Sequence, residues 1–266
     1  MYCFTHWETL YYWVMRGKVE YSEIDVEKSS ISKRFHSVTQ RVNNLCTEYG
    51  RNPESVSIIS VSKKKPAEII VAGVLAGIRD LGENRFQEAE TKIPTVKEKL
   101  LTMGFDIEQL TWHMIGKVQS NKAARIARLF DCVHSIENVK VADKISRASL
   151  ECNKVMDIFI EINTSGETRK GGIRPADTGV FLRELLGYKG IAIKGLMTIG
   201  PLTDSMDEIR NSFRLLRDIG TDLVEKNPNG EFGEELSMGM SNDYDIALEE
   251  GATILRIGTA IFGKRQ

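Results

Sequence analysis

Cysteine is scarce and scattered: Cys3, Cys46, Cys132 and Cys152 in a chain of 266 residues. No CxxC pair occurs and no cysteine stands at zinc-ligand spacing from a histidine, so the sequence carries no local metal motif and no paired-thiol redox motif. Isolated thiols fit a reducing compartment, and the expected location is the cytoplasm. Charge of one sign is also lacking. Thirty-six basic residues face 37 acidic ones, a net charge of −1, which leaves no global field to recruit nucleic acid or a membrane surface. No stretch approaches the ~20 consecutive apolar residues of a membrane helix. Pro- and Ser-rich linkers and low-complexity segments are missing, so nothing marks a second folded domain.

The N-terminal stretch "MYCFTHWETLYYWVM" lacks a basic segment followed by an apolar one, which makes it a poor signal peptide. Residues 1–27 are set apart as an extension, either an extra helix, a disordered tail or a mis-assigned start. Residues 28–266 are expected to form one folded unit.

From residue 28 the chain has a rhythm. Ile31, Phe35, Val38, Val42 and Leu45 recur at helical spacing over 28–48. Eight short apolar runs follow, at 55–61, 78–81, 111–115, 131–136, 155–162, 191–199, 234–238 and 253–257. Helix-length amphipathic stretches lie between them, near 66–76, 84–100, 120–129, 138–151, 175–187, 206–226 and 242–250. Strands alternating with helices imply βαβ units and a parallel sheet. Eight of them predict a single closed (β/α)8 barrel of the TIM type, a fold that takes about 250 residues.

In that fold the chemistry sits in the loops after the strands. Those loops are rich in Gly, Ser, Thr and Asn. Loops after the seventh and eighth strands often bind phosphate, and here they hold Ser241, Gly258 and Thr259. Ser241 also stands near a helix start, where its alternative role is an N-cap.

The first loop is "SVSKKKPAE". Side chains alternate along a strand, so Ser57, Ile59, Val61 and Lys63 share one face, while Ser60, Ser62 and Lys64 share the other. Pro66 suits a first helical turn. Lys63 therefore ends the strand, and Lys64 and Lys65 belong to the turn. If the face of Ile59 and Val61 is the barrel interior, Lys63 points into the mouth. Partial desolvation there lowers a lysine's pKa and frees its amine to attack a carbonyl. Alternation alone does not say which face is inward, and the alternative is a solvated run of loop lysines.

Five segments, in order, carry a resemblance: "VSKKKP", "GENRFQEA", "WHMIGKVQSNK", "KGLMTIG" and "LSMGMSNDYDIALEEGATILRIGTAIFG". From about residue 28 to the end they resemble the pyridoxal phosphate homeostasis proteins. The resemblance implies a barrel like the N-terminal domain of alanine racemase, of the fold-type III kind among enzymes of this cofactor, without the racemase C-terminal β domain. It implies pyridoxal 5′-phosphate (PLP) held as an internal aldimine, a Schiff base, on Lys63. It assigns Ser241, Gly258 and Thr259 to the phosphate, Arg256 to the pyridine nitrogen and Asn84 to the other side of the ring. Ser237, Met238 and Met240 are expected to pack near the cofactor, with core filling as the alternative for the two methionines and helix capping for Asn84. An arginine stays protonated and donates to an unprotonated ring nitrogen, which weakens the ring as an electron sink.

The implied role is PLP (vitamin B6) homeostasis without catalytic turnover. Its partner is the small molecule PLP, with PLP-dependent apoenzymes as candidate recipients, no nucleic acid and no membrane, the protein being a monomer or weak dimer. A racemase-type enzyme is the alternative. Such an enzyme needs a second base opposite the lysine, and this chain ends at Gln266 with no room for the domain that supplies it. His113 is the remaining candidate, and a strand histidine beside Trp112 is more often structural. A Schiff-base aldolase barrel ranks third, because it needs no phosphate cradle beside Arg256. Two positions depart from the family pattern: Arg85 stands where an aromatic is common, and Lys64 where a small or polar residue is.

Overall fold

The structure, a computed structural model, describes the backbone of residues 6–167 and 169–263 and the side chains from Ile24 onward. Eight parallel strands close into a barrel in sequence order. They are β1 (Ser57–Val61), β2 (Asp80–Glu83), β3 (Thr111–Met114), β4 (Cys132–Ile136), β5 (Met156–Glu161), β6 (Ile191–Met197), β7 (Phe232–Ser237) and β8 (Ile254–Ile257). Closure is made by β1 against β8, with Ser57 opposite Ile254 and Ser60 opposite Ile257.

The helices are α1 (His6–Glu48), α2 (Ala67–Leu75), α3 (Phe86–Thr102), α4 (Ala123–Leu129), α5 (Val139–Glu151), α6 (Thr178–Leu185), α7 (Met206–Lys226), α8 (Tyr244–Glu249) and α9 (Thr259–Phe262). All eight expected strands form. β2 lies two residues later than expected, because Gly82 and Glu83 do not read as apolar. Gly82 is needed there: a Cβ would come within 2.8 Å of Ile59 Cγ2. The four-residue α9 is too short to leave a periodic signal and was not anticipated.

α1 passes the expected boundary at residue 28 without a break. Its buried stripe, Ile24, Ile31, Val38, Val42 and Leu45, packs on α2, α8 and α9. Arg34 Nε donates to Ile261 O at 2.6 Å, which ties this helix to the end of the barrel. Residues 1–5 of the expected extension, and the side chains of residues 6–23, lie outside the described residues.

Two apolar cores are distinct. The larger fills the space between strands and helices. The smaller, Ile59, Cys132, Phe159, Met197 and Ile254, comes from five strands and fills the barrel interior, as layered side chains do in this fold. Ile59 is therefore inward. No helix among the described residues is long and apolar enough to cross a membrane.

Candidate functional site

Ile59 faces inward and Val61, two residues on, is buried. Alternation, were it to run on past Val61, would bring Lys63 to the inward side at the C-terminal mouth. β1 itself ends at Val61, and Lys63 is the first residue of a turn that follows Ser62. Lys63 is half-buried, whereas Lys64 is exposed with φ +62°. A left-handed conformation at a non-glycine residue is a cost that something must offset.

That something lies on the outer side of the wall. Ser62 N–H donates to Gly82 O at 2.9 Å, and Lys65 N–H donates to Ser62 O at 3.1 Å. Ser62 Oγ donates to Glu83 Oε1 at 2.7 Å. Lys92 Nζ donates to Ser62 O at 3.0 Å and to Glu83 Oε1 at 2.8 Å, and it pairs with Glu88. Glu88 Oε1 also accepts from Lys64 N–H at 2.6 Å. A buried lysine and two glutamates thus hold the backbone of residues 62–65. Burial holds the Glu83 carboxyl above the usual carboxylate range, opposed only in part by Lys92 and Ser62. Sequence reasoning missed this clamp. The i,i+4 pair Glu88–Lys92 was readable; its contact with Glu83 was not.

Inside the mouth stands Arg256, only 5% exposed. Its Nη1 donates to Ser237 Oγ and its Nη2 to Thr198 O, both at 2.7 Å. Burial lowers its pKa to about 10, while Asp243 and Glu161 pull upward, so it remains charged at neutral pH. Thr198 is fixed in turn: its Oγ1 donates to Ile162 O at 2.8 Å. Glu161, at the end of β5, shares the inward face of Phe159 and is 9% exposed. Burial, then Glu137, pushes its carboxyl up to about 7, against Arg256 and Lys117. Glu137 is itself held by Lys117 Nζ at 2.6 Å and by Gly172 N–H at 2.6 Å. Glu161 was missed as a site residue, although a carboxylate two residues after Phe159 on an inward face was a legible signal.

The loops after β7 and β8 close the opposite side. Gly258 begins α9 against the end of β1, where a Cβ would meet Val61 O at 3.3 Å. Thr259 is exposed, and Met240 is partly exposed. Ser241 does not cap α8: the N-cap is Asp243, whose Oδ1 accepts from Met240 N–H at 2.5 Å. Asn84 is exposed after β2 and does not cap α3, whose N-cap is Arg85. Met238 belongs to the outer core between strands and helices, so core filling is its role. Because β1, β8 and β7 are neighbours in the barrel, the loops holding Lys63, Gly258, Thr259 and Ser241 adjoin one another.

Among the described residues, His113, Cys132 and His134 form a grouping of metal-ligand type, with ligand atoms within 4.8 Å of one another. Sequence spacing gave no hint of it, because two strands bring the three together. The facing ring nitrogens of His113 and His134 are 3.0 Å apart, a hydrogen-bond distance. His113 is thus part of the barrel interior, bonded to His134 and to Asp80.

An eight-stranded parallel barrel with a lysine at the end of the first strand and a buried arginine on the last defines the class: a barrel of the alanine racemase kind. The family model described as alanine racemase, N-terminal domain, matches residues 38–266. A pyridoxal phosphate homeostasis protein of Aquifex aeolicus is 35% identical over 234 residues, 88% of this chain and 98% of the relative. The solved structure of PipY from Synechococcus elongatus with PLP bound superposes with a TM-score of 0.73 at 34% identity, covering 88% of this chain and 100% of that one. Alanine racemase of Clostridium difficile shares the fold, with a TM-score of 0.65 at 16% identity over 86% of this chain and 55% of its own. The chain belongs to the pyridoxal phosphate homeostasis protein family.

Proposed function

We propose that the mouth holds pyridoxal 5′-phosphate on Lys63, and that the protein serves vitamin B6 homeostasis as a carrier without catalytic turnover. What supports this reading is the half-buried Lys63 just past β1, a strand whose Ile59 faces the barrel interior and which pairs with β8, the strand of the buried Arg256. The aldehyde of PLP condenses with a primary amine and loses water. Lys63 supplies that amine from a turn that the Glu83–Lys92–Glu88 clamp keeps in place.

The residues fit the group. Arg256 uses two N–H groups on protein acceptors, and a guanidinium has five, so donors remain for a ring nitrogen. Ser241 is not a helix cap, and Gly258 leaves space beside β1; with Thr259 they are assigned to the phosphate. Asn84 and Met240 flank the ring, and Ser237 orients Arg256. The cofactor-holding unit is residues 28–266. PipY's bound PLP and the name of the Aquifex relative support the assignment by kinship.

The carrier reading is preferred to the racemase reading on one ground. His113, the candidate second base, lies 3.2 Å from Asp80 at the start of β2, toward the other end of the barrel. The carrier is assigned to the cytoplasm, with PLP-dependent apoenzymes as recipients.

Two measurements test this. Incubation of the PLP-loaded protein with L-alanine in deuterated water should give no α-deuteration at enzymic rates; clear exchange would favour the racemase reading. Thr259→Val and Ser241→Ala should each speed PLP loss more than they lower the thermal midpoint. A lowered midpoint with unchanged retention would return those residues to a structural role.

A further inference from the structure

Five side chains inside the barrel are joined end to end. Arg256 Nη1 donates to Ser237 Oγ at 2.7 Å. Ser237 Oγ lies 2.9 Å from His134 Nδ1. His134 Nε2 lies 3.0 Å from His113 Nδ1. His113 Nε2 lies 3.2 Å from Asp80 Oδ1. The members come from β8, β7, β4, β3 and β2. Asp80 is the first residue of β2, on the N-terminal side of the barrel, and its side chain is 38% exposed. The chain therefore runs from the mouth toward the opposite end.

The two ends set its direction. A guanidinium is donor-only, so Ser237 Oγ accepts from Arg256. An ionised carboxylate is acceptor-only, so His113 donates from Nε2. A neutral His113 then has a bare Nδ1, which must accept, so His134 carries its proton on Nε2. A neutral His134 has a bare Nδ1, and the hydroxyl proton of Ser237 goes there. With His113 neutral, one arrangement of protons satisfies every contact, each group donating to the next from Arg256 to Asp80; a doubly protonated His113 would instead turn His134 Nδ1–H toward Ser237 Oγ. The reverse arrangement gives Ser237 Oγ two donors and leaves its own proton without one of these acceptors. Burial, with the charge of Arg256 beside it, keeps His134 in the neutral state that the forward arrangement needs. Its ring is also held flat on Phe159, with centroids 4.3 Å apart and planes 13° from parallel.

We infer that Asp80, His113 and His134 are positioning residues for the cofactor site: a directed hydrogen-bond relay that orients the Ser237 hydroxyl and, through it, the Arg256 guanidinium. The mouth thereby receives its geometry from the far end of the barrel, through residues that do not touch the cofactor. The inference rests on the reading that Arg256 faces the PLP ring. The directed chain also accounts for the His113–His134 contact without a metal ion.

The test has two arms that fail separately. The first uses the full-length protein without cofactor, labelled with 15N, and reads the tautomers of His113 and His134 from ring-nitrogen correlations. Both should be neutral with the proton on Nε2. A His134 proton on Nδ1, or a metal-type shift abolished by a chelator, overturns the relay. The second arm measures PLP dissociation from the loaded protein for His134→Gln, Arg256→Gln and the double variant. His134→Gln should speed dissociation about tenfold, the size of one lost hydrogen-bond link, and should add little in the Arg256→Gln background. Additive effects would mean that His134 acts on stability alone and would overturn the relay. If Arg256→Gln itself leaves PLP dissociation and the PLP absorption unchanged, the reading of Arg256 fails instead, and the tautomers still decide the relay. Should His134→Gln not fold, Ser237→Ala cuts the same link and is read in the same way.

Discussion

Two glutamates end barrel strands and are almost fully buried, and they are treated in opposite ways. Glu83, at the end of β2, points outward to α3, where Lys92 and Ser62 each bond its Oε1. Glu161, at the end of β5, points inward, and among the described residues no side chain forms an ion pair with it. Its influences are the more distant charges of Glu137, Arg256 and Lys117. Neutralising a buried carboxylate at close range builds structure. A buried carboxylate with no ion-pair partner and a raised pKa is the pattern expected of functional rather than structural sites. The outer wall is a clamp for the lysine turn. The inner wall is the proposed site.

The contrast can be broken at three points. The largest effect should come from Lys92→Met, which strands the buried Glu83 and takes the lysine from the half-buried Glu88. Unfolding free energy from denaturant titration should fall by about 3–5 kcal/mol. Glu83→Gln in the same chain should recover part of it. A loss no larger than that of an exposed ion pair would show that the wall is not a clamp.

The next effect concerns Glu161 and depends on pH. Its folded pKa of about 7 stands above the ordinary 4.5. Between those values the folded protein holds a proton that the unfolded chain has released, so this group makes stability fall as pH rises through the window. In cofactor-free protein Glu161→Gln should raise stability by about 1–3 kcal/mol at pH 8 and change little below pH 4.5. Equal effects at both ends would remove Glu161 from the titrating groups.

The smallest effect tests what the clamp enforces. Lys64 is exposed at φ +62°. Lys64→Gly should therefore stabilise the fold by about 0.5–1 kcal/mol. Lys64→Val should destabilise it, because a β-branched residue fits the left-handed region badly. A neutral glycine variant would mean that the turn relaxes and that Glu88 does not hold Lys64 in place.

What was legible in the sequence follows the range of the interactions. The barrel was legible because eight short apolar runs alternate with helix-length amphipathic stretches, a pattern each segment carries locally. Lys63 was singled out by the family resemblance, since alternation left the face open; the interior position of Ile59 is consistent with that choice. Gly82 and Glu83 hid the end of β2, since one is needed for space and the other depends on Lys92, nine positions away. The relay was hidden more deeply. Asp80, His113, His134, Ser237 and Arg256 lie on five strands, and only the closed barrel brings them together. Thr198 was missed for the same reason, since its carbonyl becomes important only once Arg256 reaches it from β8.

The three lysines of the opening turn give the central claim its sharpest test. The protein loaded with PLP should be reduced with borohydride, digested, and mapped for the modified residue. The account predicts that Lys63 carries the cofactor, that Lys64 and Lys65 do not, and that Lys63→Ala abolishes both the modification and the visible absorption of the bound cofactor. Modification of Lys64 or Lys65 in place of Lys63, or an undiminished absorption band in Lys63→Ala, would contradict it.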